Sequence, residues 1–259
     1  MKGFPFSWLA GPLQGLGRIS LLAKEVVTSL CAHKLSGRDL LYQIYSIGFK
    51  SQSVVLVTGA FTGMVLAAQT FFQFHKVKMD TATLAVVSVS MCSELGPVLT
   101  GLMVAGRVGA ALAAELGTMR VTEQIDALRT LATHPVDYLV VPRVLATMLA
   151  MPILTAEAIA IGIAAAHALA TGFLGIDGAY SWHNVVKYTG SDDVITGIIK
   201  GFIYGGLIGL ISCYKGMNCR EGAEGVGRAT TEAVVYASIT ILISNFFLTL
   251  FLNRVLQTA

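Results

Sequence analysis

Long apolar stretches dominate the chain, separated by short polar segments. Residues 51–74 hold no charge, 82–106 hold only Glu94, 144–175 hold Glu157 and His167, 194–214 hold Lys200 near their start, and 233–253 are again uncharged. A helix crossing a hydrocarbon core of roughly 30 Å needs about 20 apolar residues, so the pattern predicts five membrane-spanning helices. Ahead of them, Leu13, Leu16, Ile19, Leu22, Val26 and Leu30 recur every three to four residues, with Gln14, Arg18, Glu25 and Ser29 opposite. That period predicts an amphipathic helix lying in the membrane interface. The first 20 residues, broken by Pro5, Gly11, Pro12, Gly15 and Gly17, do not read as a removable signal peptide.

The connecting segments differ in kind. Residues 75–81 predict a short hairpin, and 176–193, with Trp182, His183 and Tyr188, suit an interfacial re-entry or a short surface helix. The longest connection, 107–143, carries a helical pattern of its own. Thr122 is placed to cap it, Glu123 and Asp126 fall in its first turns, Arg129 lies near its end, and Pro135 stops it. Ile125, Leu128 and Leu131 form its apolar stripe. A short amphipathic helix held between two spans calls for a protein partner.

Composition agrees with this picture. Only 13% of the 259 residues are charged, against about 25% in a soluble domain. A net charge of +3, spread along the chain, excludes a nucleic-acid binder. Thirteen of the 18 lysines and arginines fall before the first span, between spans two and three, or between spans four and five. The positive-inside bias therefore places the N-terminus in the cytoplasm and the C-terminus outside. Five spans do not divide into two equal inverted halves, so a pathway built from this chain needs a second copy.

Candidate chemistry is sparse. The sequence contains no phosphate loop, no zinc-protease motif and no defensible Ser/His/Asp set. Its five histidines are dispersed, and Cys31, Cys92, Cys213 and Cys219 match no metal or redox spacing. Neither a catalytic residue nor a metal site is expected, and the cysteines read as apolar fillers. Glu94 and Glu157 sit mid-span, where an ionised side chain costs about 2.5–3.5 kcal/mol on insertion scales. Three residues after Glu94, Pro97 lacks the N–H that would bond the carbonyl of Ser93. Glu94 then either lines a polar pathway or is packing glue, and Glu157 has the same two readings. Asn245 reads as glue, and Lys200, near the outer edge, as a residue that snorkels. Small-residue pairs such as Gly59/Gly63, Gly101/Ala105, Gly109/Ala113 and Gly201/Gly205/Gly209 permit close helix approach, within the chain or across a dimer seam.

Particular strings then resemble a known family. Gly59-Ala-Phe-Thr-Gly63-Met-Val-Leu66 with Gln69, Glu94-Leu-Gly-Pro-Val98, Ala105-Gly-Arg107-x-Gly109, and Ala114-Glu115-x-Gly117-x-Met119-Arg120-x-Thr122-Glu123-Gln124 resemble the MlaE (YrbE) family of ABC-transporter permeases. Pro142-Arg143 and Gly227-Arg228-Ala-Thr-Thr231 extend the likeness, which runs from about residue 40 to the C-terminus. The resemblance implies a bacterial inner-membrane permease working as a homodimer with a cytoplasmic P-loop ATPase that holds ATP and Mg, this chain having no cofactor. It further implies a periplasmic ring of MCE-domain subunits, in many systems a STAS-domain protein, and phospholipid cargo moved between inner and outer membranes to maintain lipid asymmetry. Residues 1–50 become an elbow-helix region and 51–259 the permease domain, with 107–143 as coupling loop. Glu115, Arg120, Glu123 and Gln124 are the implied ATPase-coupling residues, and Glu94, Leu66, Gln69, Phe72 and Leu99 the implied lipid-cavity residues. Some members carry an arginine where this chain has Ser93, and an aspartate where it has Asn245. Two other readings remain open from the residues alone: a proton-coupled secondary transporter using Glu94, Glu157 and His167, and a non-transporting scaffold.

Overall fold

The computed structural model describes residues 7–32, 37–220 and 222–256. Among these, every regular element is helical: α1 (Ser7–Ala32), α2 (Gly37–His75), α3 (Asp80–Val121), α4 (Gln124–Thr130), α5 (Val136–Gly172), α6 (Gly178–Tyr188), α7 (Ser191–Met217) and α8 (Gly222–Leu256). Five of them, α2, α3, α5, α7 and α8, are long and apolar enough to cross a membrane. Each begins before the predicted span, because polar residues at the ends continue the helix. α3 passes through two π-helical turns, Met91–Leu95 and Ala105–Gly109, and α5 opens with another, Val136–Val140.

α5 is the centre of the bundle, packed chiefly against α2 on one flank and α7 on the other. Small residues make both contacts. A Cβ built on Gly63 of α2 would lie 2.1 Å from the carbonyl oxygen of Gly162, and one on Gly205 of α7 would lie 2.6 Å from that of Thr147. Gly59 meets Ala158, Gly201 meets Thr155, Gly209 meets Val144, and Gly109 meets Ser212. These glycine spacings are therefore internal packing, in which backbones approach closely for dispersion contact. The three described free cysteines, Cys92, Cys213 and Cys219, are buried filler as expected.

α2 and α8 are the least covered spans. Phe61, Val65 and Phe72 on α2, and Leu242, Phe246 and Phe247 on α8, point away from the chain's own core.

α1 forms with the predicted stripe inward, except near its C-terminal end. Val26 is buried and Ile19 and Leu22 pack on the core, as the stripe predicts, but Leu30 is exposed and Ser29 is buried. The reason is polar: Ser29 donates to Asp137 at the start of α5, and Glu25 lies 3.2 Å from His134. The side chains of Leu13, Gln14 and Leu16 lie outside the described residues.

The stretch 176–193 resolves into the surface-helix alternative. Asp177 caps α6 by accepting from the N–H of Ala179, and the Asn184 amide donates to the carbonyl of Thr81.

Candidate functional site

Glu94 stands in the π-helical turn of α3, and two further helices converge on it. Lys200 of α7 donates to Glu94 Oε1 (2.8 Å), to the Thr249 hydroxyl of α8 (2.9 Å) and to the carbonyl of Ser93 (2.8 Å). That last oxygen is the one Pro97 cannot serve, so the lysine ammonium takes the place of the missing backbone donor. Asn245 donates to Glu94 Oε2 (2.9 Å) and accepts from the Tyr204 hydroxyl (2.8 Å), while Thr249 Oγ1 lies 2.8 Å from Glu94 Oε1. Beside the pair, Ser93 donates to Asp193 (2.9 Å).

Lys200 therefore does not snorkel. Its side chain has no exposed surface. It sits nine residues into α7, about 14 Å from the helix start at 1.5 Å per residue, and three acceptors at that depth satisfy its three donors. Asn245 is packing glue, as its position suggested. Glu94 ties α3 to α7 and α8, as its packing reading has it, and 36% of its side chain stays accessible. Lys200, Tyr204 and Thr249 complete the cluster; a lone charge in an apolar run was the sequence signal for the first of them.

The other implied cavity residues are not gathered around this cluster. Leu99, on α3, borders a narrow crevice against α2 with Thr58, Thr62 and Met103. Leu66 packs on the group containing Ala67, Leu84 and Met91, whereas Gln69 and Phe72 are exposed on α2. Glu157 takes a hydrogen bond from the Gln52 amide (3.2 Å) and its second oxygen is buried without a partner, as is Nδ1 of His167. Glu94 and Glu157 thus have separate sets of partners, with no hydrogen bond joining them.

The connection 107–143 is mostly an extension of its flanking helices, so the true loop runs only from 122 to 135. Thr122 does not cap α4. Its hydroxyl donates back to the carbonyl of Thr118 (2.8 Å), closing α3, and the residue preceding α4 is Glu123 in a left-handed conformation with φ 60° and no side-chain cap. Asp126 anchors the turn by accepting two bonds from Arg120 (2.7 and 2.8 Å) and one from Arg129 (3.1 Å). Ile125 is buried and Leu128 partly so, but Leu131 is exposed, because α4 ends before its stripe completes another turn. Glu123 and Gln124 are exposed at the tip, and Glu115 reaches the buried Arg143 at 3.4 Å, linking the two helices that flank the loop.

Comparison with known proteins accounts for this layout. The family model described as Permease MlaE matches residues 40–251. A probable ABC transporter permease protein of Rickettsia conorii is 44% identical over 91% of each chain. The chloroplastic protein trigalactosyldiacylglycerol 1 of Arabidopsis thaliana is 37% identical, over 90% of this chain and 67% of its own. The intermembrane phospholipid transport system permease protein MlaE of Haemophilus influenzae is 35% identical over 81% of each chain. A match that spans all five long apolar helices, the mid-bundle cluster and the helical loop between α3 and α5 makes this chain a multi-pass membrane protein of the MlaE permease family.

Proposed function

We propose that this chain is the permease subunit of an ABC transporter that moves phospholipids between the inner and outer membranes of a bacterial envelope, maintaining outer-membrane lipid asymmetry. The observation that carries the reading is the family match over the whole spanning region, with the phospholipid system named for the Haemophilus relative as its support for cargo. The uncovered apolar faces of α2 and α8 fit a second copy of the chain, and a seam between two such faces suits lipid tails. Glu94, with Leu66, Gln69, Phe72 and Leu99 as outlying residues, lines that cavity. The permease domain covers 51–259 and sits in the inner membrane, N-terminus cytoplasmic and C-terminus periplasmic, with 1–50 as elbow region.

A cytoplasmic P-loop ATPase docks on the tip formed by Glu115, Arg120, Glu123 and Gln124. That subunit holds ATP and Mg, and this chain is neither an enzyme nor a cofactor binder. A periplasmic MCE-domain ring and a STAS-domain protein complete the assembly. Closure of the ATPases pushes on α4, and because α3 and α5 run unbroken from the loop into the bundle, the push reaches the seam as rigid helix movement. The Glu115–Arg143 contact keeps the two levers in step. The separate partners of Glu94 and Glu157 argue against a proton relay.

Purification in mild detergent tests the assembly: a P-loop ATPase in equal copy number is expected, and its absence would sink the reading. In proteoliposomes, Glu123→Lys should uncouple ATP hydrolysis from lipid transfer while leaving insertion intact. Unchanged lipid-stimulated hydrolysis in that variant would remove Glu123 from the docking tip.

A further inference from the structure

Electrostatic complementarity decides which charged partner a binding surface accepts, and the spans of this chain leave free charge of one sign. Across residues 51–74, 82–106, 144–175, 194–214 and 233–253, Lys200 is the sole lysine or arginine. It is closed to a ligand. Its side chain has no exposed surface, and the Glu94 carboxylate, the Thr249 hydroxyl and the Ser93 carbonyl take its three hydrogens. Glu94 differs, with 36% of its side chain accessible. Oε1 meets Lys200 and Thr249, whereas Oε2 has Asn245 as its only hydrogen-bond donor among the described residues. A carboxylate oxygen accepts two bonds, so Oε2 keeps one acceptor site open.

A second carboxylate stands beside the first. Asp193, in the first turn of α7, accepts from the Ser93 hydroxyl (2.9 Å) and from the Gly190 N–H (3.0 Å). One buried ammonium thus faces two carboxylates, and the cluster is net negative. Glu94 is half-buried among apolar helices, where Coulomb attraction is stronger than in water. From the end of the bundle where α7 begins, an entering cation meets Asp193 first and Glu94 deeper. Arg254, on the exposed face of α8 with Leu250 and Phe251, lies about 7.5 Å along the helix axis past Thr249. Its attraction is for the phosphate that every phospholipid carries, which tells no headgroups apart.

We propose that Glu94, backed by Asp193, selects phospholipids by a headgroup ammonium. A primary ammonium donates to Oε2 in a charge-assisted hydrogen bond, and a headgroup without one leaves the carboxylate unanswered. The favoured substrate class is the zwitterionic aminophospholipid, with phosphatidylethanolamine as its type, over the anionic phosphatidylglycerol. Lys200 is then a positioning residue that holds the carboxylate in place, and it binds no phosphate. The assignment rests on the reading of this chain as a phospholipid permease with Glu94 in its cavity.

The test equilibrates the intact complex, without ATP, in membranes of equal phosphatidylethanolamine and phosphatidylglycerol. Native mass spectrometry then counts the lipids that stay bound after detergent extraction. The parent should retain phosphatidylethanolamine about tenfold over phosphatidylglycerol, as one charge-assisted hydrogen bond at a half-open site predicts. The double variant Glu94→Gln/Lys200→Met removes the carboxylate together with the buried cation that needs it. Its ratio should fall to about one, with a melting temperature close to that of the parent. Glu157→Gln, at the other carboxylate of the spans, should keep the parent's ratio. Equal retention by the parent, an excess of phosphatidylglycerol, or enrichment that survives in the double variant would overturn the selection. ATP-driven transfer in proteoliposomes is measured separately: movement of neither lipid would refute the permease reading on which the substrate assignment rests.

Discussion

Lys200→Met isolates the central polar contact. The substitution keeps most of the side-chain volume but leaves the Ser93 carbonyl without a side-chain donor and Glu94 with only Asn245 and Thr249. Removing one partner of a fully buried pair costs about 3–5 kcal/mol. Glu94 is more than one-third exposed, so solvent screening lowers the expected loss to about 2–3 kcal/mol. At about 2–4 °C per kcal/mol for a chain of this size, the melting temperature should fall by roughly 4–12 °C. Differential scanning fluorimetry of the protein in nanodiscs reads this directly. The double variant Glu94→Gln/Lys200→Met removes both charges and should recover to within about 1 kcal/mol of the parent, because neutral replacement of a buried pair costs far less than splitting it. A single variant that melts with the parent, or a double variant no better than the single, would refute the assignment of Lys200 as a buried, fully bonded cation.

Gly63→Ala should destabilise by about 1–3 kcal/mol, since its methyl meets the Gly162 carbonyl and α2 must move off α5. Gly227→Ala, with nothing near its Cβ, should be neutral or gain up to about 1 kcal/mol from helix propensity; equal thermal shifts in these two variants would contradict the packing. Asp177→Ala removes the cap of α6 at a cost of about 1 kcal/mol, visible as faster amide exchange over 178–182. Glu123→Gly relieves a left-handed non-glycine residue and should raise stability by roughly 1 kcal/mol; a lower melting temperature would count against that turn.

The number and order of the long apolar helices, the N-terminal helix and the helical loop were legible in the chain because each depends on a local run of residues. A stretch of about 20 apolar side chains commits to a bilayer crossing whatever its neighbours are. The family strings were likewise continuous in sequence. The presence of a polar group inside a span was also visible, because its desolvation cost marks it against an apolar background.

What the fold alone decided is which groups meet. Glu94, Lys200, Asn245 and Thr249 come from three helices, and no periodicity could have joined them or moved Lys200 from the membrane edge to the interior. The same holds for the end of α1, where Ser29 of the polar side is drawn inward in place of Leu30 because Asp137, more than 100 residues away, offers it a partner. Thr122 and Leu131 show the effect at short range: α3 ran on to Val121, so the hydroxyl closed that helix and the leucine was left outside. Pairing between distant segments is set by shape and by the cost of burying an unbonded polar group, and both are properties of the assembled bundle.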